Sequence, residues 1–291
     1  MGTSSSFGGA GAHSPLIPSW LQPDESFAPA GEGGEAPVLP PSNSSEPNQE
    51  APQLAQPSAA PKVSPLPNRF KEPRGNYSRF ALSGGGDREH LGKALSGYVA
   101  HSAGGASIAS ARMGRSKNVA SATARFFAEV QREGVREALF KWRIEGDSSR
   151  RVSDTLLEVL NKMPFDGGPI DEAIARDSMV DSIIDNFDDL NVSFDEVDPA
   201  VFNVVLEDFV TKSIVAKIIM DIGVKGLYLA KDESAAQYIH DQLEDIVRGA
   251  VSDAFSINGG VDHVTADEFD LAVDQVYTDA FSFIQAYEET I

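Results

Sequence analysis

From Asp87 onward, apolar residues return along this chain at helical intervals; before that point they do not. Over "DREHLGKALSGYVAHS", Leu91, Leu95 and Tyr98 fall close to i, i+4 and i+7, which predicts a helix that a Gly104-Gly105 pair then breaks. Asp87 stands where that helix needs an N-cap carboxylate, and Gly84 to Gly86 lead into it as a flexible turn. "ASIASARMGRSKNVASATARFFAEVQREGVREALFKW" continues as one long or once-broken helix, with Ile108, Met113, Val119, Phe126, Phe127, Val130, Val135, Leu139 and Trp142 as its apolar positions. Its first half is small and basic, which suits close helix packing or the close approach of a ligand.

Beyond "EGDSSRR" the signals sharpen. Ser153 or Asp154 is placed to cap "TLLEVLNKM", which stops at Pro164. Pro169 suits a first helical turn, and the helix it opens carries Ile170, Ile174, Met179, Ile183, Ile184 and Phe187 as a predicted core face. Asp198-Pro199 opens "AVFNVVLEDFVTKSIVAKIIMDIG", apolar nearly all round, as the central helix of a bundle would be. Two further helices follow. One carries Tyr238, Ile239, Leu243, Ile246 and Val247; the other is opened by a Thr265/Glu268 capping box. No alternating run of useful length predicts a strand.

Residues 1–68 are of another kind. Runs such as "APAGEGGEAPVLPPSNSSEPNQEAPQ" have neither period, and such chain cannot bury enough apolar surface to offset its backbone entropy. The predicted fold class is therefore all-α: a helical bundle preceded by a long disordered Pro/Ser/Gly-rich N-terminal arm. Two apolar islands interrupt the arm, "SPLIPSWL" at 14–21 and "VSPLPNRFKEPRGNYSRFAL" at 63–82, the second bringing Phe70, Tyr77 and Phe80. Each is either an anchor that orders in a partner's groove or a segment that docks on the chain's own folded part.

Composition changes the picture in three ways. A chain of 291 residues with 41% hydrophobic content can bury a real core. The absence of cysteine removes disulfides, thiolate zinc sites and cysteine nucleophiles. No run approaches the roughly 20 apolar residues that span a bilayer, and the N-terminus lacks a secretory pattern, so a soluble cytoplasmic protein is expected. The net charge of −20 divides unevenly. Residues 1–68 hold six acids against one lysine (−5), 69–151 hold sixteen Lys/Arg against eight acids (+8), and 152–291 hold seven against thirty (−23). The chain thus reads as arm, basic Gly/Ala/Arg-rich helical segment (69–151) and acidic helical bundle (152–291). The basic face is suited to meet either the acidic half or an anionic partner, the alternative being a solvated surface that keeps the protein soluble.

No catalytic constellation emerges. Around "LSGGGDREHLGKALS" the spacing from Gly86 to Gly92-Lys93 is one residue too long for a phosphate loop, and Ala94 stands where Ser or Thr is required. "DNFDDLNVSFDE" places Phe187 and Leu190 where a calcium loop needs a ligand and a glycine. His13, His90, His101, His240 and His263 show no metal-ligand spacing, and there is no GxSxG. The expectation is a non-enzymatic protein without cofactor or metal. Arg112, Arg115, Lys117, Arg125, Arg132, Arg136, Lys141, Arg143, Arg150 and Arg151 invite a nucleic-acid reading centred on 106–151, but the acidic half and the interleaved Arg132/Glu133 and Arg136/Glu137 favour a protein partner or its acidic ligand.

Gly2 is small enough for the initiator methionine to be removed, exposing a glycine amine. "MGTSSS" satisfies the myristoylation pattern, without the adjoining polybasic run that stable anchoring needs. The alternative is that the amine is itself a substrate, delivered by the arm into another protein's active site while "PLIPSW" anchors nearby.

"MGTSSSFGGAG…SPLIPSW", followed after a proline-rich spacer by "RFALSGGGDREHLGKALSGYVAHSAGGASIASARMGRS" and an acidic helical remainder, resembles the QatB proteins of the bacterial Qat anti-phage defence systems. The resemblance implies a component that acts beside an ATPase, a TatD-like nuclease and a QueC-like enzyme, QatC. It implies binding to QatC and presentation of Gly2 for ATP-dependent conjugation of a 7-deazaguanine-type base. Carried onto this chain, Gly2 is the modification site, with Thr3 and Ser4 beside it and Pro15, Leu16, Ile17, Pro18 and Trp20 as anchor. Phe70, Phe80, Arg112 and Arg115 are the further partner-binding candidates. A binding-only scaffold of the defence complex is the alternative.

Overall fold

A computed structural model describes residues 68–145, 149–163, 169–187, 192–198, 200–259 and 268–290. The expected disordered arm, Gly2, Thr3, Ser4, the 14–21 anchor and the Thr265 cap lie outside these residues. Among the described residues every regular element is helical, as the periodicity requires, and the one departure is an isolated antiparallel bridge between Arg151 and Ser193. The elements are α1 (Lys71–Leu82), α2 (Arg88–Gly97), a π-helical segment (Tyr98–Ala103), α3 (Ala106–Ala111), α4 (Gly114–Glu133), α5 (Val135–Lys141), α6 (Val152–Lys162) and α7 (Pro169–Phe187). There follow α8 (Ala200–Ile218), a second π segment (Ile219–Gly223), α9 (Val224–Tyr228), α10 (Glu233–Asn258) and α11 (Phe269–Ala286).

The all-round apolar helix is central as expected: α8 buries Phe202, Val205, Leu206, Phe209, Ile214 and Ile218, and packs against α4, α7 and α10. α11 closes the other side, against α3, α4 and α10, so the basic and acidic segments share one core. Capping follows the sequence expectation at Asp87 and Asp198, and the structure adds Asp232. Asp87 accepts from the His90 N–H at 3.1 Å, Asp198 from Ala200 at 2.9 Å and Asp232 from Ala235 at 2.8 Å.

Several expectations need correction. The stretch from Arg69 to Leu82, for which the sequence leaves open a partner anchor or a segment docked on the chain's own folded part, is the second of these and is largely α1. Pro73 and Gly75 obscured it, since both lower helix propensity, but tertiary packing overrides propensity. Tyr77, Phe80 and Ala81 are buried, and a Cβ on Gly226 of α9 would lie 2.6 Å from the Tyr77 ring. Phe80, a candidate partner anchor, has 0% of its surface exposed; it belongs to the chain's own core and has no face left for a groove elsewhere. α1 ends in a Schellman turn: the Gly85 N–H donates to the Phe80 carbonyl at 3.1 Å with Gly84 at φ +70°. The Tyr238 ring lies where a Gly85 side chain would begin.

The single or once-broken helix expected over 106–142 is three helices, interrupted at Arg112–Met113 and at Gly134, whose φ is +89°. Neither Ser153 nor Asp154 caps α6, which begins earlier at Val152. Its leading backbone is satisfied instead by the 192–194 segment, the Val152 N–H donating to the Val192 carbonyl at 3.2 Å and the Phe194 N–H to that of Arg150 at 3.1 Å. Ile108, Ile170, Ile184 and Tyr238, assigned to core faces, are exposed, because each sits at the edge of its helix's apolar stripe.

Candidate functional site

The two π segments meet through a hydrogen bond between Tyr98 and Asp221. Wide helical turns of this kind commonly mark functional positions. Tyr98 of the first segment is buried and donates its hydroxyl to the Asp221 carboxylate of the second at 2.9 Å. Burial, reinforced by the Asp221 charge, pushes the Tyr98 phenol well above its ordinary range. Arg74 of α1 donates through Nε to the Asp221 carbonyl at 2.7 Å. Phe70 stacks on Tyr98 with ring centroids 6.2 Å apart, and the Arg69 and Arg74 guanidinium carbons lie 4.7 and 5.3 Å from its centroid.

From this junction a short chain of contacts leads to a cleft. Ser102 donates its hydroxyl to the Arg69 carbonyl at 2.6 Å, and the Ser102 carbonyl is met in turn by Arg112 Nη1 at 3.5 Å. Arg112, Met113, Arg115, Ser116, Asp171, Ile174 and Lys217 line the cleft. It forms where the chain turns from α3 into α4, beside the start of α7 and the end of α8. Lys217 pairs with Asp171 at 3.2 Å.

The structure thus brings Arg112 and Arg115 together and places Phe70 at the same corner through Tyr98 and Ser102, but removes Phe80 to the core. Sequence reasoning missed Tyr98 and Asp221 as a polar pair, and Lys217 and Asp171 as cleft residues. They come from separate helices, and no local motif announces a π segment.

Most of the other basic candidates are occupied within the fold. Lys117 pairs with Asp274 and Arg125 with Asp270 at 2.7 Å, both joining α4 to α11. Arg132 and Lys141 share Glu133, and Arg150 holds Glu158 at 2.8 Å. Of the two readings of the basic face, the acidic half therefore takes a large share. These pairings weigh against a phosphate-tracking surface across 106–151.

A family model for QatB, the Qat anti-phage system associated protein, matches residues 104–284. The chain belongs to the QatB family. The match runs from the glycine turn after the first π segment almost to the end of α11, and so contains Arg112, Arg115, Asp171, Lys217 and Asp221. Membership of the QatB family gives the chain a role in anti-phage defence. No curated protein and no solved structure matches it. Among the described residues no helix of this QatB-family chain is long and apolar enough to cross a membrane.

Proposed function

We propose that the chain is a non-enzymatic member of the Qat defence complex that binds a QueC-like enzyme, QatC, and presents the Gly2 amine for ATP-dependent conjugation of a 7-deazaguanine-type base. One observation supports this reading above the others: the described residues that follow the arm in sequence, Arg69 and Phe70, lie at the candidate site. Arg69 and Phe70, the first residues after the arm, are held by Ser102 and Tyr98, and Ser102 is also the residue that Arg112 touches. A partner seated on the Arg112–Arg115 cleft therefore sits beside the root of the arm. The arm then returns its Leu16/Ile17/Trp20 anchor and Gly2 to that partner at high effective concentration. A random-coil chain of about 50 to 65 residues would span some 35–50 Å, enough to cross a small domain.

The amine is the nucleophile on this reading. It attacks an adenylate-activated carboxyl of the base, forms an amide and releases AMP, while this chain contributes position and no proton transfer. Intact-mass analysis after co-expression with the QueC-like enzyme tests it. The expected result is an adduct mapping to Gly2 that vanishes in Gly2→Pro. A stable complex with an unmodified Gly2 amine replaces the substrate reading with the scaffold one.

A further inference from the structure

We infer that the segment 14–21 of this chain docks on an apolar patch of the chain's own folded body until a partner draws it away. The patch lies at the turn from α1 into α2. Leu82 ends α1, Tyr228 ends α9 with Leu229 directly after it, and Tyr238 belongs to the start of α10. α9 packs beside α1, where a Cβ on Gly226 would lie 3.3 Å from that of Ala81, and the Tyr238 ring covers Gly85 of the turn. Leu82 and Tyr228 are 59% and 61% exposed, and Leu229 and Tyr238 are exposed too. Four large apolar side chains from three elements thus face solvent around one turn, a clustering that marks a contact surface where singly scattered ones would not.

Reach and chemistry name the occupant. The described chain starts at Asn68, and α1, about 18 Å of helix, separates that point from Leu82. The 46 residues between Leu21 and Asn68, taken as a random coil, would span roughly 35–40 Å, so segment 14–21 reaches the patch with length to spare. Tethering at about millimolar effective concentration lets a patch too small for a stable complex hold it. "SPLIPSWL" carries no charge, and its Pro15-Leu16-Ile17-Pro18 core has the spacing of polyproline II segments that dock on aromatic-lined surfaces. Tyr228 and Tyr238 supply the aromatic lining, and Leu82 and Leu229 an apolar seat. A second copy is the poorer occupant, since two chains of net charge −20 repel each other and no tether assists them. The inference deepens the reading above, on which it rests for the anchor's use by the partner, by giving that anchor a second seat. The QueC-like enzyme must then win the anchor from the patch, and its apparent affinity is reduced by the undocked fraction.

The test uses the chain's two tryptophans, Trp20 and Trp142. Trp142 donates to Glu129 at 2.7 Å within the body, so Trp142→Phe leaves Trp20 as the sole reporter. Subtracting the signal of Trp20→Phe from that of the parent gives the same reading should Trp142→Phe disturb the fold. The expected result is a blue-shifted Trp20 whose quenching by acrylamide rises severalfold in Leu82→Ser/Leu229→Ser or in Tyr228→Ser and does not vary with chain concentration. These exposed substitutions leave the urea midpoint in place, and the double variant binds the QueC-like enzyme severalfold more tightly than the parent. Four results overturn the inference: a Trp20 as accessible as in the urea-unfolded chain, quenching indifferent to the substitutions, protection that grows with chain concentration, or a double variant that binds the enzyme more weakly. The third gives the patch to a second copy and the fourth gives it to the enzyme. Trp20 is read on the chain alone, so an exposed Trp20 leaves the Gly2 reading standing, and an unmodified Gly2 leaves a docked Trp20 standing.

Discussion

Phe80 separates core from interface most sharply. It is 0% exposed and its ring meets Tyr77 edge-on, centroids 5.8 Å apart at 68°. Truncation to alanine removes a transfer contribution of about 2 kcal/mol. The cavity left behind raises this to about 3–5 kcal/mol, and the lost aromatic pair, about 1 kcal/mol, places Phe80→Ala in the upper half of that range. With a folded part of some 220 residues, about 4 kcal/mol corresponds to a fall in Tm of roughly 8–16 °C. Urea denaturation of the isolated chain is the assay, with Phe140→Ala as control: Phe140 is 79% exposed and should cost under about 0.5 kcal/mol. An unfolding free energy for Phe80→Ala within 1 kcal/mol of the parent would refute the burial and return Phe80 to the list of partner contacts.

Three further outcomes follow from the same packing. Asp208, almost buried, accepts from Lys212 at 2.6 Å and Arg248 at 2.9 Å, so Asp208→Ala should cost about 3 kcal/mol in urea and Asp208→Asn clearly less. Arg143 occupies the left-handed position (φ 55°) of a Schellman turn, with the Ile144 N–H on the Leu139 carbonyl at 2.9 Å. Relieving that conformation is worth about 1–2 kcal/mol less the added unfolded-state entropy of glycine, so Arg143→Gly should raise Tm by roughly 1–4 °C. Burial holds the hydroxyls of Tyr77, Tyr98 and Tyr277 above the ordinary phenol range. The folded state therefore binds these protons more tightly than the unfolded state, whose tyrosines titrate near pH 10. Stability is complete below about pH 10 and declines above it by up to about 1.4 kcal/mol per pH unit per tyrosine. A urea midpoint that stays flat from pH 8 to 11 would contradict this.

Periodicity carried the bundle because its helices are long and amphipathic. α8 was legible as central from its all-round apolar character, and α7, α10 and α11 from their stripes. α1 was not legible, since its stability resides in Tyr77, Phe80 and the Gly226 contact rather than in "KEPRGNYSRFAL" itself. The break at Arg112–Met113 is marked only by Gly114, which lies inside the first turn of α4 without the positive φ of Gly134, and it is this break that brings Arg112 and Arg115 to the cleft with Lys217. Half of the candidate site could be named from the basic segment alone. The other half, Asp171, Lys217 and Asp221, lies 50 to 110 residues away in the acidic segment, where an isolated lysine among carboxylates reads as an ordinary surface ion pair. The polarity of the two segments left open whether the basic face meets the acidic half or an anionic partner, and the α4–α11 ion pairs are a place where the two segments do meet.

The central claim is that the arm and the Arg112–Arg115 corner together form the surface that meets the QueC-like enzyme. Hydrogen exchange of the full chain, alone and in complex with that enzyme, tests it directly. The account predicts new protection in residues 1–21, around Arg69–Phe70 and through Arg112–Arg115, with the outer face of α10 unchanged. Protection confined to α10 and α11, with the first 21 residues exchanging as fast as in the free chain, would contradict it.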